Sequence, residues 1–191
     1  MLIQFLRHGA TLGPDGFRGR LDPPLSEAGW QQMHQAIAQE GPWDNILTSP
    51  LQRCRAFAHW LGKDRTVPVE TLADLRELDF GDWEGRTAAE LMVDQADELG
   101  RFWADPYAFT PPRGEPVARF EQRVLGAMLD IVDRYQSRRV LIVTHGGVIR
   151  LLLARQLGLP RAALLQVEVP YGTLHGFDLA ALPEDTRCSH C

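Results

Sequence analysis

Apolar runs of strand length alternate along the chain with stretches in which apolar residues recur every three or four positions. The clearest short runs occupy residues 2–6, 45–48 and 140–144. Continuous apolar runs are typical of buried strands, and the helical stretches between them supply layers that cover a sheet. The pattern therefore predicts an α/β fold, a three-layer sandwich with a mostly parallel central sheet and helices on both faces.

Capping residues and apolar spacing predict where the main helices begin and end. Ser49-Pro50 has the form of an N-cap followed by proline in the first turn, and Gly62 is predicted to end that helix. Thr87 and Glu90 have the spacing of a capping box ahead of a short helix. The longest helix is predicted to start near Pro116, where apolar positions advance by three or four residues.

Several segments are predicted to be edge strands or loops. Residues 66–70 contain Pro68, which lacks a backbone N–H and therefore favours the edge of a sheet. Two late strands, at about residues 165–169 and 173–179, are expected to close an edge. The segment 75–86 is predicted to be a loop.

The composition is that of a globular protein with a mildly acidic surface. The chain has 191 residues, 45% of them hydrophobic, which predicts one domain over residues 1–191 with a frayed tail at about 183–191. Its 25 acidic residues exceed the 20 lysines and arginines, giving a net charge of -5, which disfavours nucleic acid and anionic membranes as partners. Without a long apolar run or a basic N-terminal start, a cytoplasmic location is expected.

The three cysteines do not predict a disulfide framework. Cys54 falls in an apolar helical pattern, far along the chain from Cys188 and Cys191. The terminal run Cys188-Ser189-His190-Cys191 is too tightly spaced for a usual four-ligand zinc site. We therefore expect no structural metal in this run. No cofactor is expected.

Two histidines occupy equivalent places in the predicted sheet. His8 directly follows the first strand and His145 directly follows the strand at 140–144, and each is followed by a glycine. Since the carboxyl ends of parallel strands converge on one crevice, the two histidines are expected to meet there. Gly146 and the helix after it would present backbone N–H groups to an anion. Taken singly, a histidine at a strand end is as often a structural residue.

The surrounding motifs resemble those of the histidine phosphatase superfamily, the phosphoglycerate mutase-like group. The first is Leu6-Arg7-His8-Gly9-Ala10-Thr11, and the others follow in family order through residue 150. The remaining matching segments are residues 19–26, 49–54, 75–85 and 144–150. The resemblance implies a phosphoglycerate mutase-like fold and a phosphatase that works without metal, because arginine and histidine charges replace it.

The resemblance also implies a role for each candidate residue. His8 is expected to take the phosphoryl group on Nε2, with a hydrogen bond from its other nitrogen fixing the tautomer. Glu77 is expected to donate the leaving-group proton and later to accept one from water. The groups expected around the phosphate are Arg7, Arg53, Gly146 and a protonated His145. Further candidate substrate contacts are Thr11, Gly19 and Arg20.

The sequence departs from the superfamily pattern in three ways, one of which is that no asparagine stands a few residues after Thr11 as it does in the mutases. Ala10 stands where many members have glutamate or glutamine. The run Arg113-Gly114-Glu115-Pro116 has proline in place of the usual serine, which argues against Glu115 as a ligand contact.

Within the superfamily, the chain length and the sequences of residues 19–22 and 140–150 most resemble those of the bacterial α-ribazole phosphatases. That resemblance implies removal of phosphate from α-ribazole 5′-phosphate or adenosylcobalamin 5′-phosphate in cobalamin biosynthesis. The enzyme alternatives are a broad-specificity phosphatase and a phosphoglycerate mutase, and the non-enzyme alternative is a phosphate or phosphoprotein binding module. The expected partner is a small phosphomonoester, and a homodimer is a further expectation.

Overall fold

A five-stranded sheet forms the centre of the computed structural model, which describes residues 1–182. The strands are β1 (Leu2–Arg7), β2 (Asn45–Thr48), β3 (Val69–Thr71), β4 (Arg139–Thr144) and β5 (Leu174–Phe177). Their spatial order is β3-β2-β4-β1-β5, and every neighbouring pair is parallel except β1 with β5. The mostly parallel sheet is confirmed, and β3 lies at its edge as Pro68 predicted.

Helices cover both faces of this sheet. The described residues form α1 (Glu27–Ile37), α2 (Gln52–Arg65), α3 (Ala88–Asp94), α4 (Ala96–Ala104), α5 (Val117–Arg134) and α6 (Gly146–Gln156). Because successive strand side chains point to opposite faces, Phe5 packs in the core that contains α5 and α6, whereas Leu6 packs in the core that contains α1 and α2. The three-layer α/β sandwich is confirmed.

The predicted capping signals hold at α3 and α5. Thr87 Oγ1 accepts a hydrogen bond from the backbone N–H of Glu90 at 3.1 Å, and the Glu90 carboxylate accepts one from the N–H of Thr87 at 2.7 Å. α5 begins directly after Pro116. Helix α4 follows α3 after one residue and was not predicted from the sequence.

The prediction for α2 was wrong at both ends. The helix begins at Gln52, whose backbone N–H donates to the Asp22 carboxylate at 2.8 Å, so that a distant side chain caps it instead of Ser49. It runs through Gly62 and ends where Thr66 adopts a φ of 57°. A Cβ at Gly62 would lie 2.2 Å from the Val69 side chain, so this glycine allows the helix to approach β3.

The late strand predicted at residues 165–169 was also wrong. Residues Arg161–Gln166 form a 3₁₀-helix, and the carbonyls that follow are bound by arginine side chains instead of a strand. Arg150 donates to the Val167 carbonyl at 2.8 Å, and Arg7 donates to that of Val169. The strand expected at 173–179 is present in a shorter form as β5.

The segment predicted as a loop at 75–86 contains the last residue of one 3₁₀ turn, Ala73–Leu75, the whole of a second, Gly81–Trp83, and no strand. Residues 183–191, which include the predicted frayed tail and the Cys188 to Cys191 run, lie outside the described part of the chain. The assignment of the whole chain to one domain stays a prediction. None of the helices within residues 1–182 has the length and apolarity needed to span a bilayer.

Candidate active site

The carboxyl ends of β1 and β4 bring the two histidines together. The strands pair in parallel with Arg7 opposite Thr144, so His8 and His145 leave the sheet side by side. Their ring centroids lie 5.2 Å apart with the planes inclined at 66°. Both residues are buried, His145 completely. The sequence predicted that His8 and His145 would meet, because each directly follows a strand of the sheet.

His8 is held by its own backbone. Its Nδ1 donates a hydrogen bond to the carbonyl of Gly9 at 2.8 Å, and Nε2 has no hydrogen-bond partner within residues 1–182. A proton fixed on Nδ1 leaves the lone pair on Nε2. Burial, and next the charge of Arg53, hold the pKa of His8 well below its ordinary value, so the imidazole is neutral.

His145 is engaged at its ring nitrogens. Nε2 shares a hydrogen bond of 2.7 Å with the buried Ser49 hydroxyl, and the Cys54 thiol lies 3.6 and 3.7 Å from the two ring nitrogens. Burial lowers the pKa of His145 well below its usual range, and the charge of Arg53 lowers it further. Without an anion beside it, His145 is therefore neutral. The protonated form expected from the sequence requires the charge of a bound phosphate.

Arg7, the last residue of β1, carries its guanidinium into the same place. The group donates to the Val169 carbonyl and lies 3.9 Å from the ring centre of Tyr171. Gly146, the first residue of α6, lies against this guanidinium. The Nε of Arg7 is buried and has no partner within the described residues. A buried donor without a partner is costly, which suits a site that binds an anion.

Arg53 is completely buried, and its charge acts on both histidines while its guanidinium organises a loop. Its terminal nitrogens donate to three carbonyls of that loop. The acceptors are Arg18 at 3.0 Å, Gly19 at 3.1 Å and Leu21 at 2.6 Å. The Nε of Arg53 has no partner among residues 1–182. Part of the guanidinium thus has a structural role that the motif alone did not reveal.

The same loop is held from the other side by Glu84. Its carboxylate accepts hydrogen bonds from four backbone N–H groups at 2.9 to 3.1 Å. The donors are Gly19, Arg20, Leu21 and Phe80. Charge-assisted bonds of this kind are stronger than neutral ones, so Glu84 fixes the loop whose carbonyls orient Arg53.

Glu77 lies at the start of α6, beside the second histidine. One carboxylate oxygen accepts from the backbone N–H of Gly147 at 2.9 Å, and the other accepts from that of Leu78 at 2.9 Å. A Cβ at Gly147 would lie 2.2 Å from the Glu77 carboxylate, so this close approach requires glycine. One of the N–H groups expected to face an anion is thus used to orient Glu77.

Arg123, on α5, fixes the backbone that carries Glu77. Its guanidinium donates to the carbonyls of Arg76 and Glu77 at 2.8 and 2.9 Å and forms a two-pronged pair with Glu115 at 2.8 Å. Glu115 is therefore the partner of Arg123. This agrees with the sequence, where proline in place of the usual serine after Glu115 argued against a ligand contact.

Two cavities meet at Glu77. The arginine cavity, about 480 Å³, is lined by Arg20, Arg76, Arg113, Arg119 and Arg123 together with acidic residues that include Asp79. The aromatic cavity, about 430 Å³, is lined by Phe17, Phe80, Phe102, Trp103 and Phe120, and Gly147 also borders it.

The three further candidate substrate contacts are not brought together. Gly19 and Arg20 line the arginine cavity, where Arg20 is paired with Asp79 at 2.6 Å. Thr11 lines neither cavity, and its hydroxyl is bound by Arg18. Thr11 is therefore the candidate with the least support from the geometry.

A sequence profile described as histidine phosphatase superfamily (branch 1) matches residues 3–181. The chain belongs to the histidine phosphatase superfamily. A relative from Escherichia coli (strain K12) named adenosylcobalamin/alpha-ribazole phosphatase is 31% identical over 94% of this chain and 90% of its own length. A glucosyl-3-phosphoglycerate phosphatase from Mycolicibacterium vanbaalenii is 36% identical over 83% of this chain and 75% of its own length.

Solved structures show the same relationship. The crystal structure of a putative alpha-ribazole-5′-P phosphatase from Escherichia coli matches with a TM-score of 0.78 at 30% identity, covering 92% of this chain and 89% of that one. These likenesses confirm the superfamily, the fold and a phosphatase enzyme.

The reasoning from sequence missed the roles of several residues of this histidine phosphatase site. Glu84 and Arg123 act through hydrogen bonds to loop backbone, and Ser49 and Tyr171 contact the site's side chains directly. Ser49 was interpreted as a helix cap, and Tyr171 lies in a segment without a motif. Among residues 1–182, no group of three histidine, cysteine or acidic side chains is arranged to hold a metal ion.

Proposed function

We propose that the protein hydrolyses phosphomonoesters in two steps, with His8 as the nucleophile. The observation that carries this proposal is the hydrogen bond from His8 Nδ1 to the Gly9 carbonyl, which leaves the Nε2 lone pair without a partner in a buried site. A neutral, oriented imidazole nitrogen is what an in-line attack on phosphorus requires.

In the first step, His8 Nε2 forms a bond to phosphorus while the bond from phosphorus to the alcohol oxygen breaks. Arg7 and Arg53 neutralise the charge on the equatorial oxygens, and His145 becomes protonated as the phosphate raises its proton affinity. Glu77 gives its proton to the departing alkoxide. The products of this step are the free alcohol and phosphohistidine.

In the second step, water attacks phosphorus and the bond to His8 Nε2 breaks. Glu77, now a carboxylate, accepts the proton from water, and inorganic phosphate leaves. Both steps use the same cationic groups, so the scheme requires neither a metal ion nor a cofactor.

We further propose α-ribazole 5′-phosphate, or the corresponding phosphorylated cobalamin, as the substrate. The Escherichia coli relatives in both the sequence and the structure comparison support this choice, because their names state that activity. A cytoplasmic location and a homodimer stay predictions from the sequence.

A second substrate class is favoured by the arginine cavity. The side chains of Arg76 and Arg119 line it and form no ion pair within residues 1–182, which suits a substrate with a second anionic group. The relative from Mycolicibacterium vanbaalenii is named for a substrate that contains phosphoglycerate.

The deciding experiment is a comparison of phosphate release from α-ribazole 5′-phosphate, ribose 5-phosphate, 3-phosphoglycerate and glucosyl-3-phosphoglycerate. We expect the highest kcat/KM for α-ribazole 5′-phosphate. A preference for the two carboxylate-bearing substrates that is lost in Arg119→Ala would establish the second class instead.

A further inference from the structure

The aromatic cavity reaches the proposed proton donor. Glu77 and Gly147, which are joined by a 2.9 Å hydrogen bond, both border it. The alcohol oxygen that receives the Glu77 proton must lie within hydrogen-bonding distance of the Glu77 carboxyl group, and therefore beside this cavity. The rest of the alcohol then extends from Glu77 into the aromatic cavity or into the arginine cavity, which Glu77 also borders.

The wall of the aromatic cavity combines a packed base with one exposed ring. Phe102 and Phe120 are almost completely buried, and the rings of Phe17 and Phe80 are in contact at a centroid distance of 4.9 Å. Trp103, on α4, is 47% exposed. A half-exposed tryptophan that lines the same cavity as four phenylalanines offers a surface on which a flat ring can stack.

The two cavities offer opposite chemistry. Arg150 borders the aromatic cavity, but its Nε donates to the Val167 carbonyl at 2.8 Å. The arginine cavity is lined by five guanidinium groups and three carboxylates, all of which lose hydration when a neutral ring covers them. An uncharged aromatic ring is therefore stabilised in the aromatic cavity, whose volume of about 430 Å³ is that of a small-molecule site.

We infer that the aromatic cavity binds an uncharged aromatic ring carried by the alcohol half of the substrate, with Trp103 as a specificity-determining residue. This inference rests on the proposed function, since α-ribazole 5′-phosphate is a ribose phosphate that bears a neutral benzimidazole base. The phosphate lies at His8, the ribose oxygen at Glu77, and the base against Trp103.

The test compares two substrates that share a phosphorylated ribose and differ in the base. Trp103→Ala is expected to lower kcat/KM for α-ribazole 5′-phosphate about tenfold, the usual worth of one base stacked on an aromatic side chain. For ribose 5-phosphate, which has no base, kcat/KM should change less than twofold. Trp60→Ala is the matched control, because Trp60 is 38% exposed on α2 and does not line the cavity.

Three outcomes would overturn the inference. Trp103→Ala could lower kcat/KM equally for both substrates, which would make Trp103 a structural residue. Trp60→Ala could have the same selective effect as Trp103→Ala. Arg119→Ala could impair α-ribazole 5′-phosphate selectively while Trp103→Ala does not, which would place the base in the arginine cavity.

A binding measurement separates failure of this inference from failure of the proposed function. Calorimetric titration with α-ribazole, the nucleoside without phosphate, requires no turnover. We expect binding to the wild-type protein that weakens about tenfold in Trp103→Ala. Absence of phosphatase activity with binding intact would reject the function alone, whereas absence of nucleoside binding in an active enzyme would reject the aromatic cavity as its site.

Discussion

His8 and His145 follow adjacent parallel strands at matching positions, yet the hydrogen bonds around their rings differ. Both are buried, and burial lowers the pKa of each. His8 donates a hydrogen bond from Nδ1 to the Gly9 carbonyl, and its Nε2 has no partner within residues 1–182. His145 shares Nε2 with the Ser49 hydroxyl and lies beside the Cys54 thiol.

In the proposed mechanism, this difference gives each histidine a separate role. A nucleophile needs an oriented nitrogen with an available lone pair, which His8 has. A group that stabilises charge needs to gain a proton when the anion arrives. Burial, and next the charge of Arg53, lower the pKa of His145 and keep it neutral until then. We therefore expect the symmetry of the two strand ends not to extend to function, because the hydrogen bonds around each ring differ.

The largest expected effect comes from removing each histidine in turn. His8→Asn should lower kcat by at least roughly 10⁴-fold, since no other group replaces a covalent nucleophile. His145→Asn should cost roughly 10²- to 10³-fold, the range for losing one charge-stabilising donor. Steady-state rates on one substrate, with exposed His59→Asn as the control, measure both losses. Equal losses would contradict the distinction between the two histidines.

The next effect concerns Glu77, whose carboxylate is oriented from the helix that follows His145. Glu77→Gln should slow phosphoryl transfer from a sugar alcohol by roughly 10²- to 10⁴-fold, the usual contribution of a positioned acid. A nitrophenyl phosphate needs no proton for its leaving group, so its penalty should be much smaller. Pre-steady-state bursts isolate this step from phosphohistidine hydrolysis. If both substrates lose the same factor in the burst, the proton comes from another group.

The contrast between the histidines was only partly predictable from the sequence. Position after neighbouring strands predicts that His8 and His145 meet, because parallel pairing converts order along the chain into proximity. The partners of each ring were not predictable in the same way. Ser49 lies almost a hundred residues from His145 and was interpreted as a cap, while Asp22 caps α2 in its place.

The supporting residues were missed for the same physical reason. Glu84 and Arg123 bind backbone groups some 46 to 65 residues away. Since nearly every residue has the same backbone N–H and carbonyl, a sequence does not show which of them a side chain will bind. Apolar periodicity predicted the core faces of α5 and β4 well, because burial depends on side-chain type. It failed at residues 165–169, where arginine side chains satisfy the carbonyls that a strand would have used.

A smaller effect is expected in the pH dependence of stability. Since the folded-state pKa of each histidine is depressed, the unfolded chain binds protons that the folded chain does not. The free energy of unfolding should therefore fall as pH drops below about 6.5, by up to about 1.4 kcal/mol per pH unit for each histidine. Urea titrations at a series of pH values give the free energy of unfolding for wild type, His145→Gln and His59→Gln. Its dependence on pH should be weaker than in wild type only for His145→Gln. An unchanged dependence there would mean that His145 is not held neutral.

The smallest expected effect is that of a chelator. If Arg7, Arg53 and the histidines supply all the positive charge that the phosphate needs, excess EDTA should leave kcat/KM unchanged. Assays before and after dialysis against EDTA, with and without added magnesium, measure this. Loss of turnover that a divalent ion restores would show that side-chain charges do not suffice.

The most direct test of the account is the position of the phosphate in the covalent intermediate. Enzyme turning over labelled substrate is quenched in alkali, where phosphohistidine survives, and the modified peptide is mapped by mass spectrometry and phosphorus NMR. We expect one phosphate on Nε2 of His8, none in His8→Asn, and a label still on His8 in His145→Asn. Phosphate on Nδ1 of His8, or on His145, would contradict the assignment of His8 Nε2 as the nucleophile.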